Sequence, residues 1–234
     1  LNFRYASLRT ASILIATFNV NGRSPSLDGI PNWLTYEWNV VIARSFPKDA
    51  DYDLIREIRL VGILLAVYRR VGSKIRLRPA EIDVCMVPTG REGMGNKGGV
   101  AISMHMNDTR VCFVNAHFAA HLEKNEQRIR DYRHIANTIR FLKSGRRLFD
   151  HDAVFWFGDL NFRLETNGGL NTAQLRLLCA DENAFRDMIV YDQLKEVMRL
   201  KLAFEYFHEP AVLDFRPTFK YDLNSYDWDS RLVI

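Results

Sequence analysis

The residues best suited to chemistry lie in four short segments. GDLNFR, residues 158–163, follows the apolar run AVFWF directly, so its carboxylate and amide stand where a buried strand would end. Asp159 and Asn161 are two apart, and in extended backbone they share a face. A carboxylate and an amide together can orient a water and help hold a hard, oxygen-loving cation such as Mg2+. A turn in which both side chains bond local backbone is the plain alternative. NAHFAAH, residues 115–121, ends a second apolar run and puts His117 and His121 four apart. That spacing suits a zinc-binding helix, but there is no HExxH. A single histidine near a phosphate can instead shuttle a proton or stabilise developing charge. Two structural histidines are equally compatible with the spacing. TGREGMGNKGG, residues 89–99, holds five of the 13 glycines. Such a loop exposes backbone N–H groups to phosphate oxygens, and Lys97 adds a point charge. It lacks the GK[ST] ending of a P-loop and could be a hairpin connection. RPTFKYD, residues 216–222, sets Lys220 between Phe219 and Tyr221, where it could grip a ring-borne phosphate or lie solvated on an edge strand.

Positioning these groups requires strands that end together. Short apolar runs at residues 12–18, 59–68, 100–104, 111–116 and 153–157 are near-continuous, as in strands covered on both faces. Between them the spacing predicts a helix over 125–143. Its inner face carries Ile129, Tyr132, Ile135, Ala136, Ile139 and Leu142, with Arg128, Arg130 and Arg133 outward. Asn171 reads as the N-cap of a helix through Leu175 and Leu178, and residues 192–202 read as another. Asn19 with Asn21, Asn115 with His117, and Asp159 with Asn161 fall at three strand ends, implying one site at one sheet edge. Strands and helices in this order predict one α/β sandwich domain over 1–234.

Bulk properties narrow the class. The chain has 234 residues and a net charge of +4, which suits an anionic partner without demanding one. Cys85, Cys112 and Cys179 form no CxxC pair, which argues against a zinc site or a disulfide framework and reads as small apolar residues in a reducing compartment. No apolar run has the length of a membrane span. The N-terminal apolar stretch runs into TFNVNG without a cleavage signal and reads as a buried strand. A start at Leu1 rather than Met reads as a piece of something longer.

Taken in order, ATFNVNG, RLVGILLAVY, TGREGMGNKGGVAI, VNAHFAAHLEKNEQRIRDY, FWFGDLNFRL, YDQL and FRPTFKYD closely resemble the inositol polyphosphate 5-phosphatases, with NVNGRSP and DWDS pointing to the type II branch. GMGNKGG followed by GDLN is the most specific part. The resemblance implies the four-layer α/β sandwich of the endonuclease/exonuclease/phosphatase superfamily. It implies Mg2+-dependent removal of the 5-phosphate from a phosphoinositide, with phosphatidylinositol 4,5-bisphosphate the expected substrate. Asn19 would help bind Mg2+, His117 would contact the scissile phosphate, and Asp159 with Asn161 would position and activate water. Asn96 and Lys97 would meet the ring and its other phosphates. Lys220 would read the 4-phosphate, with Phe219 where the family usually has tyrosine. The expected partner is a headgroup at a membrane surface, not nucleic acid, and the expected location is cytoplasmic and peripheral on membranes.

The departures are specific. The family's FQE motif, whose Glu is the principal Mg2+ ligand, has no counterpart between NVNG and RLVG, and Glu37 does not replace it. The chain ends at DSRLVI, before the family's PAWCDR and SDH segments. Two alternatives therefore stay open: a degenerate, non-catalytic member that binds phosphoinositides or proteins, and a nuclease of the same superfamily.

Overall fold

The computed structural model describes residues 50–89, 96–165, 169–181 and 185–209. The strand expected over 12–18 and the residues Asn19, Asn21, Glu37, Phe219 and Lys220 lie outside them. The chain divides into two compact units, one formed by residues up to His117 with Asn137–Asp159, the other by Phe118–Ala136 with Leu160 onward.

The first unit is a pair of sheets. Strands β1 (Tyr52–Leu60) and β2 (Ile63–Arg70) form an antiparallel hairpin in which Leu60 pairs with Ile63. The apolar run at 59–68, read as one strand, is therefore the end of one strand, a two-residue turn and most of the next. Beyond Arg59 it is nearly all apolar because both strands feed the same core, where Ile63 and Leu65 are buried with Ile58 just before the run. The second sheet has the order β3 (Asp83–Pro88), β4 (Gly98–Met106), β5 (Thr109–His117), β6 (Ala153–Asp159). Its pairs are antiparallel except β5–β6, which is parallel. The strands expected at 100–104, 111–116 and 153–157 fall within β4, β5 and β6.

Ile58, Ile63 and Leu65 from the hairpin pack with Val100, Ile102, Met104, Val111 and Phe113 from the second sheet, so the two sheets meet face to face. Fully burying each such side chain is worth roughly 1.5–3 kcal/mol relative to exposure. All of β4 except its last residue is buried, so Val100, Ala101, Ile102 and Met104 are apolar on both faces, and Ser103 and His105 are buried with them. Asn115 ties the sheets further, its amide donating to the Leu64 carbonyl at 2.8 Å. The α/β expectation holds, with two packed sheets in the first unit.

A parallel β5–β6 pair needs a long crossover. Here it contains helix α1 (Asn125–Thr138), five residues shorter than expected. Beyond it the chain turns: Gly145, at φ +71°, donates to the Phe141 carbonyl at 2.7 Å, and Lys143 donates its backbone N–H to Asp83 at 2.7 Å. Ile139 and Phe141 stay buried, but Leu142 is 88% exposed, against expectation.

In the second unit, Phe204 packs on Tyr132 with ring centroids 4.1 Å apart, and Phe118 stands edge-on to Phe162. Helix α2 (Thr172–Ala180) begins at Asn171 as expected, since the Asn171 side chain accepts from the Gln174 backbone N–H at 3.0 Å. Helix α3 (Gln193–Arg199) begins one residue after its cap, Asp192, whose carboxylate accepts from the N–H groups of Leu194 and Lys195. It ends three residues before the expected Leu202.

Candidate active site

Strand register brings three of the expected residues to one sheet edge. β4 and β5 pair so that Gly98 faces His117, which puts Lys97, just before β4, beside that histidine. β5 and β6 run parallel with His117 opposite Asp159. Lys97 Nζ lies 2.7 Å from His117 Nε2, and Asp159 Oδ2 lies 3.5 Å from the same nitrogen.

An ammonium only donates, so Nε2 of His117 accepts and its proton sits on Nδ1. Burial, and then the Lys97 cation, push the His117 pKa below the ordinary value, while Asp159 opposes them. The imidazole is therefore neutral at neutral pH, and the site's positive charge resides on Lys97. Asp159 is too distant for a good hydrogen bond to the ring and acts on it through its charge.

Two glycines make this edge possible. Gly98 has φ +146° and Gly158 has φ +128°, conformations that side chains disfavour. A Cβ at Gly158 would collide with the Ala116 carbonyl oxygen and the Asn115 side chain, and one at Gly98 with the Val87 carbonyl oxygen. The close approach of β5 and β6 at their ends thus depends on glycine immediately before Asp159. At the other end of the glycine-rich loop, the Thr89 N–H donates to the Lys97 carbonyl at 3.0 Å.

Asn161 belongs to the second unit, where it adopts φ +57°. This left-handed backbone is one that asparagine tolerates better than most residues. Its amide donates to the Phe118 carbonyl at 3.0 Å, and its Oδ1 accepts from Arg163 Nη2 at 2.8 Å.

Arg128, expected to point outward, is fully buried. Its guanidinium donates to the carbonyls of Ala119, His121 and Leu122 and to Gln193 Oε1, and it covers the Phe162 ring. Four of its five N–H donors thus serve loop carbonyls after β5 and the Gln193 amide oxygen, while the buried Nε–H has no partner. Burial, and then the nearby Arg163 guanidinium, lower Arg128 to about 10, so it stays charged at neutral pH. Helical periodicity could not reveal this, because the loop carbonyls are a tertiary feature.

The remaining expected residues are placed differently. His121 is exposed, with φ +76° in the loop before α1, so it shares no helix with His117. Asn96 is exposed, while Asn19 and Lys220 lie outside the described residues. Cys112 is buried as expected and burial pushes its thiol up, whereas Cys85 is only half-buried. Among the described residues no group of three or more His, Cys, Asp or Glu is arranged to hold a metal ion. Asp159 offers the carboxylate oxygen chemistry that Mg2+ or Ca2+ takes. No helix among the described residues is long and apolar enough to cross a membrane. Sequence reasoning missed Arg163, which bonds Asn161, and Gln193, which bonds both Arg163 and Arg128. Only Arg163, two residues beyond Asn161, could have been suspected from spacing.

Residues 33–231 match the model of endonuclease/exonuclease/phosphatase family 2. The chain belongs to this family. It is 32% identical to the type II inositol 1,4,5-trisphosphate 5-phosphatase of Mus musculus over 263 residues, covering 97% of this chain and 26% of the relative. It is 37% identical to synaptojanin-1 of Homo sapiens over 82% of this chain and 12% of that protein. The chain thus spans about a quarter or less of these relatives. The 263-residue alignment is longer than the chain, so the mouse protein carries residues with no counterpart here.

Among solved structures, the inositol polyphosphate 5-phosphatase domain of SPsynaptojanin, in complex with inositol (1,4)-bisphosphate and a calcium ion, superposes with a TM-score of 0.70. The identity is 31%, covering 83% of this chain and 55% of that one. A Cimex nitrophorin in its ferrous NO complex, at 21% identity and a TM-score of 0.57, shares the fold alone. One fold therefore serves unlike chemistries, and function must rest on the site.

Proposed function

We propose that the chain is part of the single catalytic domain of a phosphoinositide 5-phosphatase that acts on a headgroup at a membrane surface, with phosphatidylinositol 4,5-bisphosphate the preferred substrate. One observation carries this reading: Lys97, His117 and Asp159 converge at one sheet edge, with the cation held against a neutral imidazole. An anionic phosphate meets Lys97 there through a charge-assisted contact. His117 stabilises charge developing on the phosphoryl group, and Asp159 with Asn161 orients the attacking water. Asn96 meets the ring, and Lys220 reads the 4-phosphate. The bound inositol bisphosphate of the SPsynaptojanin domain supports this substrate class.

The donor chemistry of Asp159 and Asn19 would suit Mg2+, which when bound polarises phosphoryl oxygens. The reading places the protein in the cytoplasm, peripheral on membranes, in phosphoinositide signalling and membrane trafficking. The missing FQE motif favours one second reading, a family member that binds phosphoinositides without turnover.

Phosphate release from a panel of phosphoinositides, with and without Mg2+, tests both. The full-length protein should release phosphate from 5-phosphorylated lipids when Mg2+ is present. His117→Ala and Asp159→Ala should lower kcat by roughly 100-fold or more while headgroup affinity changes little. Binding without release establishes the second reading, and a kcat within a few-fold of wild type removes the mutated residue from the catalytic assignment.

A further inference from the structure

The contacts around Asn161 form a one-directional chain. Arg128 can only donate, and its Nη2 bonds Gln193 Oε1 at 2.6 Å, which fixes which end of the Gln193 amide faces it. The same Oε1 accepts the backbone N–H of Arg163 at 3.1 Å. The Gln193 backbone N–H in turn donates to the Arg163 carbonyl at 3.0 Å. Arg163 is thus gripped on both sides of its backbone by one residue at the start of α3. Gln193 Nε2 completes the set, bonding Glu165 Oε2 at 3.0 Å and the Leu122 carbonyl at 3.3 Å.

The final link concerns the amide of Asn161. Its two ends are nearly the same shape, so sterics alone do not choose between two orientations related by a half-turn. Arg163 Nη2 offers a donor on one side and the Phe118 carbonyl an acceptor on the other. Turning the amide over would set donor against donor and acceptor against acceptor. One Nδ2 proton and one Oδ1 lone pair remain uncommitted, and their directions follow from this single orientation.

We propose that Arg163 is a positioning residue that fixes the orientation of the Asn161 amide toward water or substrate, and that the buried Arg128–Gln193 pair holds Arg163 in place for it. The kinetic consequence rests on the 5-phosphatase reading, while the orientation itself does not.

Both are testable in the same protein. Arg163→Gln should lower kcat roughly tenfold or more, since small misplacement of a positioned group is costly. KM should stay within about twofold, because the group acts mainly in the transition state. Arg163→Lys, which keeps a cationic donor, should recover part of the loss. In an Asn161→Ala background the same Arg163→Gln change should cost almost nothing more, the non-additivity of residues acting through one another.

Independently of activity, the side-chain amide signals of Asn161 in 15N-asparagine-labelled protein, assigned by their disappearance in Asn161→Ala, should shift or broaden in Arg163→Gln. Unchanged amide signals, or fully additive kinetic losses, overturn the proposal. If wild-type protein releases no phosphate, the proposed function has failed, and the amide signals alone decide the positioning.

Discussion

At the residue scale, a few side chains do what their neighbours oblige them to do. His117 is neutral because it is buried and faces an ammonium, and Lys97 is held because the register of β4 and β5 leaves it beside that ring. Gly158 is the residue whose replacement should be most damaging for its size. Gly158→Ala adds one carbon against the Ala116 carbonyl and the Asn115 side chain, and forces alanine to φ +128°. Overpacking costs about 1–3 kcal/mol and a disfavoured backbone conformation a similar amount. Urea denaturation should therefore show a loss of about 2 kcal/mol or more. A loss below about 0.5 kcal/mol would mean that β5 and β6 separate easily at their ends.

At the scale of elements, helix beginnings were readable and helix ends were not. Asn171 announced α2 because its short side chain competes for the first free N–H groups. The pairing is reciprocal, since Gln174 Oε1 also accepts the Asn171 N–H at 2.9 Å. Asn171→Ala should destabilise the protein by about 0.5–2 kcal/mol, whereas Asn171→Asp should stay within a few tenths. Thermal denaturation of the two variants side by side checks this, and equal losses would exclude capping as the cause. The end of α1 came early because Lys143 bonds Asp83, a partner 60 residues away that no local pattern contains. The turn inside the run at 59–68 was hidden for a related reason, since two strands facing one core are as uniformly apolar as one long strand.

At the scale of the whole molecule, pH dependence follows from buried histidines. His151 lies in the first unit with Nδ1 2.9 Å from the Leu148 carbonyl and Nε2 2.7 Å from Ser103 Oγ. A carbonyl only accepts, so Nδ1 carries the proton and the serine hydroxyl donates to Nε2. Burial, the largest cause, pushes the His151 pKa below its ordinary value of 6.5, and His117 moves the same way. The unfolded chain therefore binds more protons than the folded one near that pH. Stability from these groups is complete above about pH 6.5 and is lost as the pH falls through and below that value. Asp131 and Asp192, raised chiefly by burial, act oppositely at lower pH, where the folded state retains their protons. Urea midpoints measured from pH 7.5 to 5.5 should fall, and His151→Gln should flatten that slope. An unchanged slope in the variant would place the proton uptake elsewhere.

The sequence by itself determined the family, the α/β class, the strands at 100–104, 111–116 and 153–157, and the polar residues at their ends. Apolar runs, glycines and caps are local, and the order of motifs survives without any knowledge of packing. The tertiary structure decided what each polar residue faces. It placed Lys97 on His117 through strand register, and tied Asn115 to Leu64 between the sheets. It also turned Arg128 inward onto three loop carbonyls. A hydrogen-bonding group declares its valence in the sequence, but its partner is chosen by where the backbone brings an unsatisfied atom.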